Sequence, residues 1–124
     1  MPSYKEVEAR RLYHREYMRH RYATNTEARS AHKLLVAANR RKARATYEGL
    51  VAEFRMAGCC ICGDTEPACL DAHHRNEQEK DFSIGNGRRD GYSAARLRNE
   101  LAKCVCVCAS CHRKIHAGLI QIPP

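Results

Sequence analysis

Cysteines and histidines, the residues best suited to metal and proton chemistry, are concentrated near the end of this chain of 124 residues. The stretch CVCVCASCHRKIH, from Cys104 to His116, holds four cysteines and two histidines. All eight cysteines and four of the seven histidines lie at or after Cys59. Thiolates and imidazoles are the preferred ligands of zinc, and a free imidazole titrates near neutral pH. These residue types indicate metal binding, acid–base chemistry or both.

Two Cys-x-x-Cys pairs predict a structural metal site. They are Cys59 with Cys62 and Cys108 with Cys111. A spacing of two residues lets one turn aim both sulfurs at the same ion, and two such pairs complete a tetrahedral Zn²⁺ site. Because a domain this small has little core, bound zinc would contribute on the order of 10 kcal/mol to its folding. Buried free thiols and redox-active pairs are the alternatives.

The other four cysteines are expected to pack inside the domain. They are Cys60, Cys69, Cys104 and Cys106. A second four-thiol site would require Cys104 and Cys106, one residue apart on a strand, to chelate together, and packing is therefore favoured. We expect no disulfide framework, because the chain starts without a signal-peptide pattern and thiols stay reduced inside cells.

Four histidines near these pairs suit a second, reactive site. His112 and His116 are four residues apart on a predicted helix, so they share a face and can bind one divalent ion. His73 and His74 are adjacent on a predicted strand, so their side chains point to opposite sides. One of them can then bind the ion while the other removes a proton from water. Asp71, on the same strand face as His73, is an alternative ligand.

A small α+β unit is expected to position these residues. CLDAHH and CVCVC predict two strands, and ASCHRKIHAG predicts a final helix that ends at Gly118. Ser93 can cap a short helix that runs through Leu101. The intervening segment RNEQEKDFSIGNGRRDG is predicted to be a loop, with Phe82 and Ile84 holding its middle against the core.

Two basic helices are predicted before this unit. Residues 4–22 contain no Gly or Pro and present only a narrow apolar stripe. Asn25 or Thr26 can begin a second helix that continues to Gly58. The last turns of that helix carry an apolar face, formed by Tyr47, Leu50, Val51 and Phe54. This face is expected to dock on the cysteine-rich domain.

Charge divides the chain between residues 58 and 59. Residues 1–58 carry 13 Lys+Arg and 6 Asp+Glu, whereas residues 59–124 carry 9 and 8. We therefore predict a basic helical N-terminal arm followed by a zinc-bound domain. The arm favours contact with nucleic-acid phosphates, above all through Arg40, Arg41, Lys42 and Arg44, although a solvated charged face is the alternative. No apolar run approaches the roughly 18 residues that a bilayer requires, so no membrane association is expected.

Taken together, LDAHHRNEQEKDFSIG and LAKCVCVCASCHRKIHAG resemble the cysteine-framed HNH endonucleases of bacteria and bacteriophages. The resemblance covers Cys59 to about Gly118 and is specific only as a combination of motifs. It implies a zinc-stabilised ββα-metal domain, also called a His-Me finger, preceded here by long basic α-helices. It also implies the cytoplasm of a bacterial host cell as the location.

The family pattern assigns a role to each histidine. It makes His73, His112 and His116 the ligands of a catalytic divalent ion, which would be Mg²⁺, Mn²⁺, Ni²⁺ or Zn²⁺. It makes His74 the general base, and it matches the two cysteine pairs to the structural zinc site. Lys103 stands where the family has the Asn that holds the loop around the base.

Lys103 is therefore a departure from the pattern. It could contact a phosphate instead, and Asn99 is a candidate to take the place of the missing Asn in space. Arg75, Arg113 and Lys114 are near enough in sequence to the motif to clamp phosphate oxygens, with solvated surface charge as the alternative.

The resemblance implies a metal-dependent DNA endonuclease that hydrolyses phosphodiester bonds by a one-metal mechanism. It implies double-stranded DNA as the partner and 5′-phosphate and 3′-hydroxyl ends as products. Phage packaging factors or other DNA-processing proteins are further candidate partners. The alternatives are a non-catalytic zinc-containing DNA-binding or assembly module of HNH-derived fold, and an RNA-directed nuclease. Sequence specificity, the ion, the oligomeric state and the biological role stay open.

Overall fold

The computed structural model describes every residue from Met1 to Pro124 as a mixture of helices and a small sheet. The α-helices are α1 (Tyr4–Thr24), α2 (Thr26–Arg55), α3 (Ile84–Asp90), α4 (Ala94–Ala102) and α5 (Ala109–His116). The strands are β1 (Leu70–His74) and β2 (Cys104–Cys108), and single 3₁₀ turns occupy Pro67–Cys69 and Glu77–Glu79. This content confirms the α+β class. None of the helices is both long and apolar enough to cross a membrane.

Side-chain caps mark the start of each of the two long helices. Ser3 and Glu6 form a capping box at the start of α1, in which the Glu6 carboxylate accepts from the Ser3 backbone N–H at 2.6 Å. Asn25 begins α2, since its Oδ1 accepts from the Ala28 N–H at 2.9 Å. No side chain of α1 is buried. The first helix therefore buries little, as predicted.

The chain forms two compact units, Met1–Arg40 and Arg41–Pro124. The division falls within α2, before the boundary that the charge distribution predicted between residues 58 and 59. The reason is apolar packing, because Tyr47 on α2 belongs to the same buried cluster as Leu97 and Leu101 on α4. The remaining apolar residues of the last turns of α2, Leu50, Val51 and Phe54, pack against this cluster. The predicted docking of these turns is confirmed.

The sheet is a single antiparallel pair that carries most of the site residues. Leu70 lies opposite Cys108, and His74 lies opposite Cys104. All five residues of β2 are buried, and Leu70 and Val107 are almost fully enclosed. The two strands and the final helix thus occur where the sequence predicted them, and both histidines of β1 are buried.

The prediction of a loop between β1 and α4 was wrong in part, because residues 84–90 form α3. Glycine-rich composition disfavours a helix, but contacts from distant residues outweigh that preference here. The Tyr47 hydroxyl donates to the Ile84 carbonyl. Gly87 is buried, and its missing side chain lets Tyr47 and Phe82 close over the helix. The expectation that Phe82 and Ile84 hold this segment is confirmed.

Candidate metal centre and candidate active site

The two cysteine pairs converge on one point. The sulfurs of Cys59, Cys62, Cys108 and Cys111 all lie within 4.8 Å of one another. Cys62 Sγ and Cys108 Sγ are 3.6 Å apart, close to the roughly 3.8 Å between sulfurs around a tetrahedral Zn²⁺. None of the eight cysteines forms a disulfide. These four residues can hold a structural metal such as zinc.

Local backbone geometry prepares both pairs. The Cys62 N–H points at Cys59 Sγ at 3.5 Å, and the Cys111 N–H points at Cys108 Sγ at 3.4 Å. Gly63 follows the first pair with a φ of +77°, a left-handed conformation that reverses the chain. Cys108 both ends β2 and caps α5. Each pair is therefore a turn that directs two sulfurs the same way.

The pKa values of the thiols differ within this cluster. Burial raises the pKa of Cys59, but backbone hydrogen bonds from Cys62, Cys108 and Ile61 outweigh it and lower the pKa to about 6. Its hydrogen bond with Cys108, and then burial, raise the pKa of Cys111 to about 12. One negative charge is thus accommodated and further ones are resisted. A divalent ion removes that resistance, because it stabilises all four thiolates.

The remaining cysteines divide into two groups. Cys104 and Cys106 are buried on β2, as predicted, and burial raises the pKa of Cys104 to about 11. Cys60 and Cys69 are exposed, so the expectation that they pack was wrong. Cys60 uses its backbone N–H to bind the Cys106 carbonyl at 3.0 Å and leaves its thiol outside the core. Cys69 ends the 3₁₀ turn before β1.

Three of the four histidines gather into a second cluster. His73 on β1 and His112 and His116 on α5 have ligand nitrogens within 4.8 Å of one another. Each ring centroid lies 4.9 to 5.0 Å from the other two. The Nε2 atoms of His112 and His116 are only 3.1 Å apart. Three neutral imidazoles in this arrangement suit a divalent transition-metal ion and leave further coordination positions open.

Two neighbouring effects support that cluster. Asp71 Oδ2 lies 3.1 Å from His112 Nδ1, so the carboxylate orients this ring and leaves Nε2 for an ion. Asp71 is therefore placed to orient His112, and it is not a member of the three-histidine group. Burial, and then the proximity of His112 and His116, lower the pKa of His73. The ring stays neutral at neutral pH, as a metal ligand must.

His74 faces the other side of β1, as the strand alternation predicted. Its ring is buried, and its Nε2 lies 2.7 Å from Glu100 Oε1. Glu100 is 1% exposed and also accepts the backbone N–H of Asp81 at 2.9 Å. Lys103 donates to the second carboxylate oxygen at 2.9 Å and to the Glu79 carbonyl at 2.9 Å. One connected network thus lies behind His74. It consists of the Glu100 carboxylate, the Asp81 N–H, the Lys103 ammonium group and the Glu79 carbonyl.

Glu100 is the site residue that sequence reasoning missed. A signal was available, because Leu97, Glu100 and Leu101 form the buried stripe of α4 at i, i+3 and i+4 spacing. A carboxylate on an apolar stripe requires a partner inside the fold. Asn99, the candidate to replace the missing Asn, is exposed on α4.

The histidines line an open cavity of 660 Å³ in the second unit. Its other walls come from the end of α2 and from the segment 77–88. Arg55 lines this cavity and forms no ion pair, whereas Arg75, Arg113 and Lys114 do not line it. Arg75 instead donates to the Pro123 carbonyl at 3.1 Å, and the other two are exposed on α5. The sequence analysis did not single out Arg55.

Four of the basic residues predicted to contact nucleic acid are exposed on α2. They are Arg40, Arg41, Lys42 and Arg44. None of them forms an ion pair with an acidic side chain. Their charge is therefore available to an anionic partner.

Comparisons with protein-family models, with curated proteins and with solved structures find no match to this chain.

Proposed function

We propose that this protein is a metal-dependent endonuclease that hydrolyses phosphodiester bonds in DNA. The observation that carries the proposal is that the two adjacent histidines of β1 face opposite sides of the strand. His73, His112 and His116 share one cluster, while the adjacent His74 is held apart from it. One strand therefore supplies both a candidate metal ligand and an imidazole outside the ligand cluster at the same cavity. Water activation beside a phosphate requires this combination.

Each residue has a definite task in such a reaction. His74 takes a proton from the attacking water at its free ring nitrogen. His73, His112 and His116 hold the divalent ion, which when bound neutralises phosphate charge and stabilises the leaving 3′-oxygen. Asp71 keeps the His112 ring in its binding orientation. Arg55 is placed at the cavity to pair with a phosphate oxygen of the substrate.

The substrate class follows from charge. The sequence carries a formal net charge of +8, and its positive excess is concentrated before residue 59. The cations at 40–44 of α2 are exposed and form no ion pair, so they can displace the counterions of duplex DNA without first breaking contacts within the protein. Affinity should then depend steeply on salt and little on base sequence.

A non-catalytic zinc module that binds DNA is the second candidate. It is favoured by the enclosure of His74, whose side chain is only 5% exposed, and by Lys103 at the position of the motif Asn. Such a module would bind DNA tightly at low salt. It would not cut DNA, whichever divalent ion is added. It would serve as an assembly factor, for example in phage packaging.

A nicking assay separates the two candidates. Zinc-loaded protein is incubated with supercoiled plasmid and with Mg²⁺, Mn²⁺, Ni²⁺ or additional Zn²⁺. We expect nicking with at least one ion, and a reduction of about 100-fold or more in His74→Ala with unchanged DNA affinity. His20→Ala is the matched control, because His20 is exposed on α1 and lies outside the histidine cluster. Binding without cutting under all four ions would favour the second candidate, and structured RNA in the same assay tests substrate preference.

A further inference from the structure

The carboxylate of Glu100 is the most fully bonded acidic group in the protein. Oε1 receives His74 Nε2 at 2.7 Å and the Asp81 N–H at 2.9 Å, with the Phe82 N–H at 3.5 Å. Oε2 receives Lys103 Nζ at 2.9 Å. The side chain is 1% exposed, so these protein donors supply its polar contacts.

This environment keeps Glu100 ionised. Burial alone would raise its pKa, but the bond from Lys103, followed by those from Asp81, His74 and Phe82, lowers the pKa to about 2. An ionised carboxylate only accepts hydrogen bonds. The proton in its short contact with His74 must therefore be carried by the histidine Nε2 atom.

The remaining nitrogen of the ring is then the basic one. His74 Nδ1 has no hydrogen-bond partner, and no buried side-chain nitrogen or oxygen in the protein lacks a partner. Nδ1 is therefore not fully buried, and His74 lines the cavity. A neutral ring protonated on Nε2 presents its lone pair there, whereas the other tautomer would present an N–H that cannot accept a proton.

Lys103 fixes the network to three parts of the chain. Its ammonium group joins Glu100 to the Glu79 carbonyl, and its own carbonyl accepts the Arg75 N–H at 3.0 Å. The segment after β1, the 3₁₀ turn at 77–79 and the end of α4 are thereby linked. A lysine at this position can act on the loop around His74 through a neighbouring carboxylate, which an Asn would do directly.

We propose that Glu100, held by Lys103, is a positioning residue that fixes His74 in the Nε2-protonated tautomer and turns Nδ1 toward the substrate. The proposal rests on the proposed function for its catalytic meaning. The tautomer, however, is a property of the resting protein. Failure of this inference and failure of the nuclease proposal can therefore be told apart.

The test is a long-range ¹⁵N–¹H spectrum of the histidine rings in zinc-loaded, ¹⁵N-labelled full-length protein at constant pH. The signals of His74 are those that disappear in His74→Ala. We expect Nε2 protonated and Nδ1 unprotonated in the wild type, and a mixture of tautomers in Glu100→Gln. Glu53→Gln is the matched control, because Glu53 is exposed and lies outside this network.

In the nicking assay, Glu100→Gln should lower the turnover rate about 10- to 100-fold while DNA affinity stays the same. An Nδ1-protonated or doubly protonated His74 in the wild type overturns the inference, whether or not the variant folds. An unchanged tautomer and an unchanged rate in a folded Glu100→Gln variant also overturn it. If the wild type shows the expected tautomer but cuts no DNA with any ion, the positioning stands and the nuclease proposal fails.

Discussion

Gly87 offers a sharp test of how the wall of the cavity is packed. A Cβ atom added at Gly87 would lie 2.8 Å from Phe82 Cε2 and 2.9 Å from Tyr47 Cζ, and closer still to the Tyr47 hydroxyl. Carbon atoms at rest stay about 3.5 Å apart or more, so Gly87→Ala forces both rings to move. A Cβ at Gly85, in the same helix, would meet no atom within 4 Å.

The two substitutions should therefore change stability in opposite directions. Alanine in place of glycine in a helix gains about 0.5 to 1 kcal/mol, which is the whole expected effect at Gly85. Overpacking at Gly87 costs about 1 to 3 kcal/mol and exceeds this gain. We expect Gly85→Ala to be stabilised by about 0.5 kcal/mol, and Gly87→Ala to be destabilised by about 1 to 2 kcal/mol, relative to the wild type.

Denaturant unfolding in a fixed excess of zinc measures the difference, because metal binding then contributes equally to each protein. The Tyr47→Phe change removes the atom nearest to the new methyl group. It should recover part of the loss in Gly87→Ala, and a double-mutant cycle isolates that recovery from the lost bond to Ile84. Equal stability of the Gly85 and Gly87 variants, or no coupling with Tyr47, would refute the close packing described here.

Three further outcomes are expected. Cys62→Ser should lose most of its bound zinc in elemental analysis and unfold at lower denaturant, while Cys60→Ser keeps its metal, because only the first lies in the four-sulfur cluster. At pH 8 iodoacetamide should modify exposed Cys69 but not Cys104, whose raised pKa of about 11 keeps it a protonated thiol until the pH approaches that value. Arg41→Ala should weaken DNA binding alike for unrelated sequences and reduce the slope of log affinity against log salt by about 1.

Each of these expectations can fail visibly. Full zinc content in Cys62→Ser would remove this residue from the metal site. Alkylation of Cys104 at pH 8 in the folded protein would contradict its enclosure, and denatured protein provides the positive control. An unchanged salt slope in Arg41→Ala would mean that the guanidinium group stays solvated in the complex. Glu27→Gln, in the first turn of α2, is the control variant and should leave the slope unaltered.

Some features follow from the sequence because their causes are local. The Cys-x-x-Cys spacing alone brings two sulfurs to one turn, and the spacing of His112 and His116 places both rings on one helix face. Strand alternation separates His73 from His74. The side-chain cap at Asn25 and the left-handed glycine after α5 depend only on neighbouring residues. Their prediction needed no knowledge of the rest of the fold.

Other features depend on residues far apart in the chain. The helix α3 forms in a glycine-rich segment because Tyr47, on α2, bonds to Ile84 and packs over Gly87. Glu100 meets His74 only after α4 packs against β2, and no local pattern identifies the partner of a buried carboxylate. Sequence by itself determined which groups can bind metal and which sides they face. Tertiary structure alone decided which carboxylate stands behind the free histidine, because burial and hydrogen-bond partners are properties of the assembled chain.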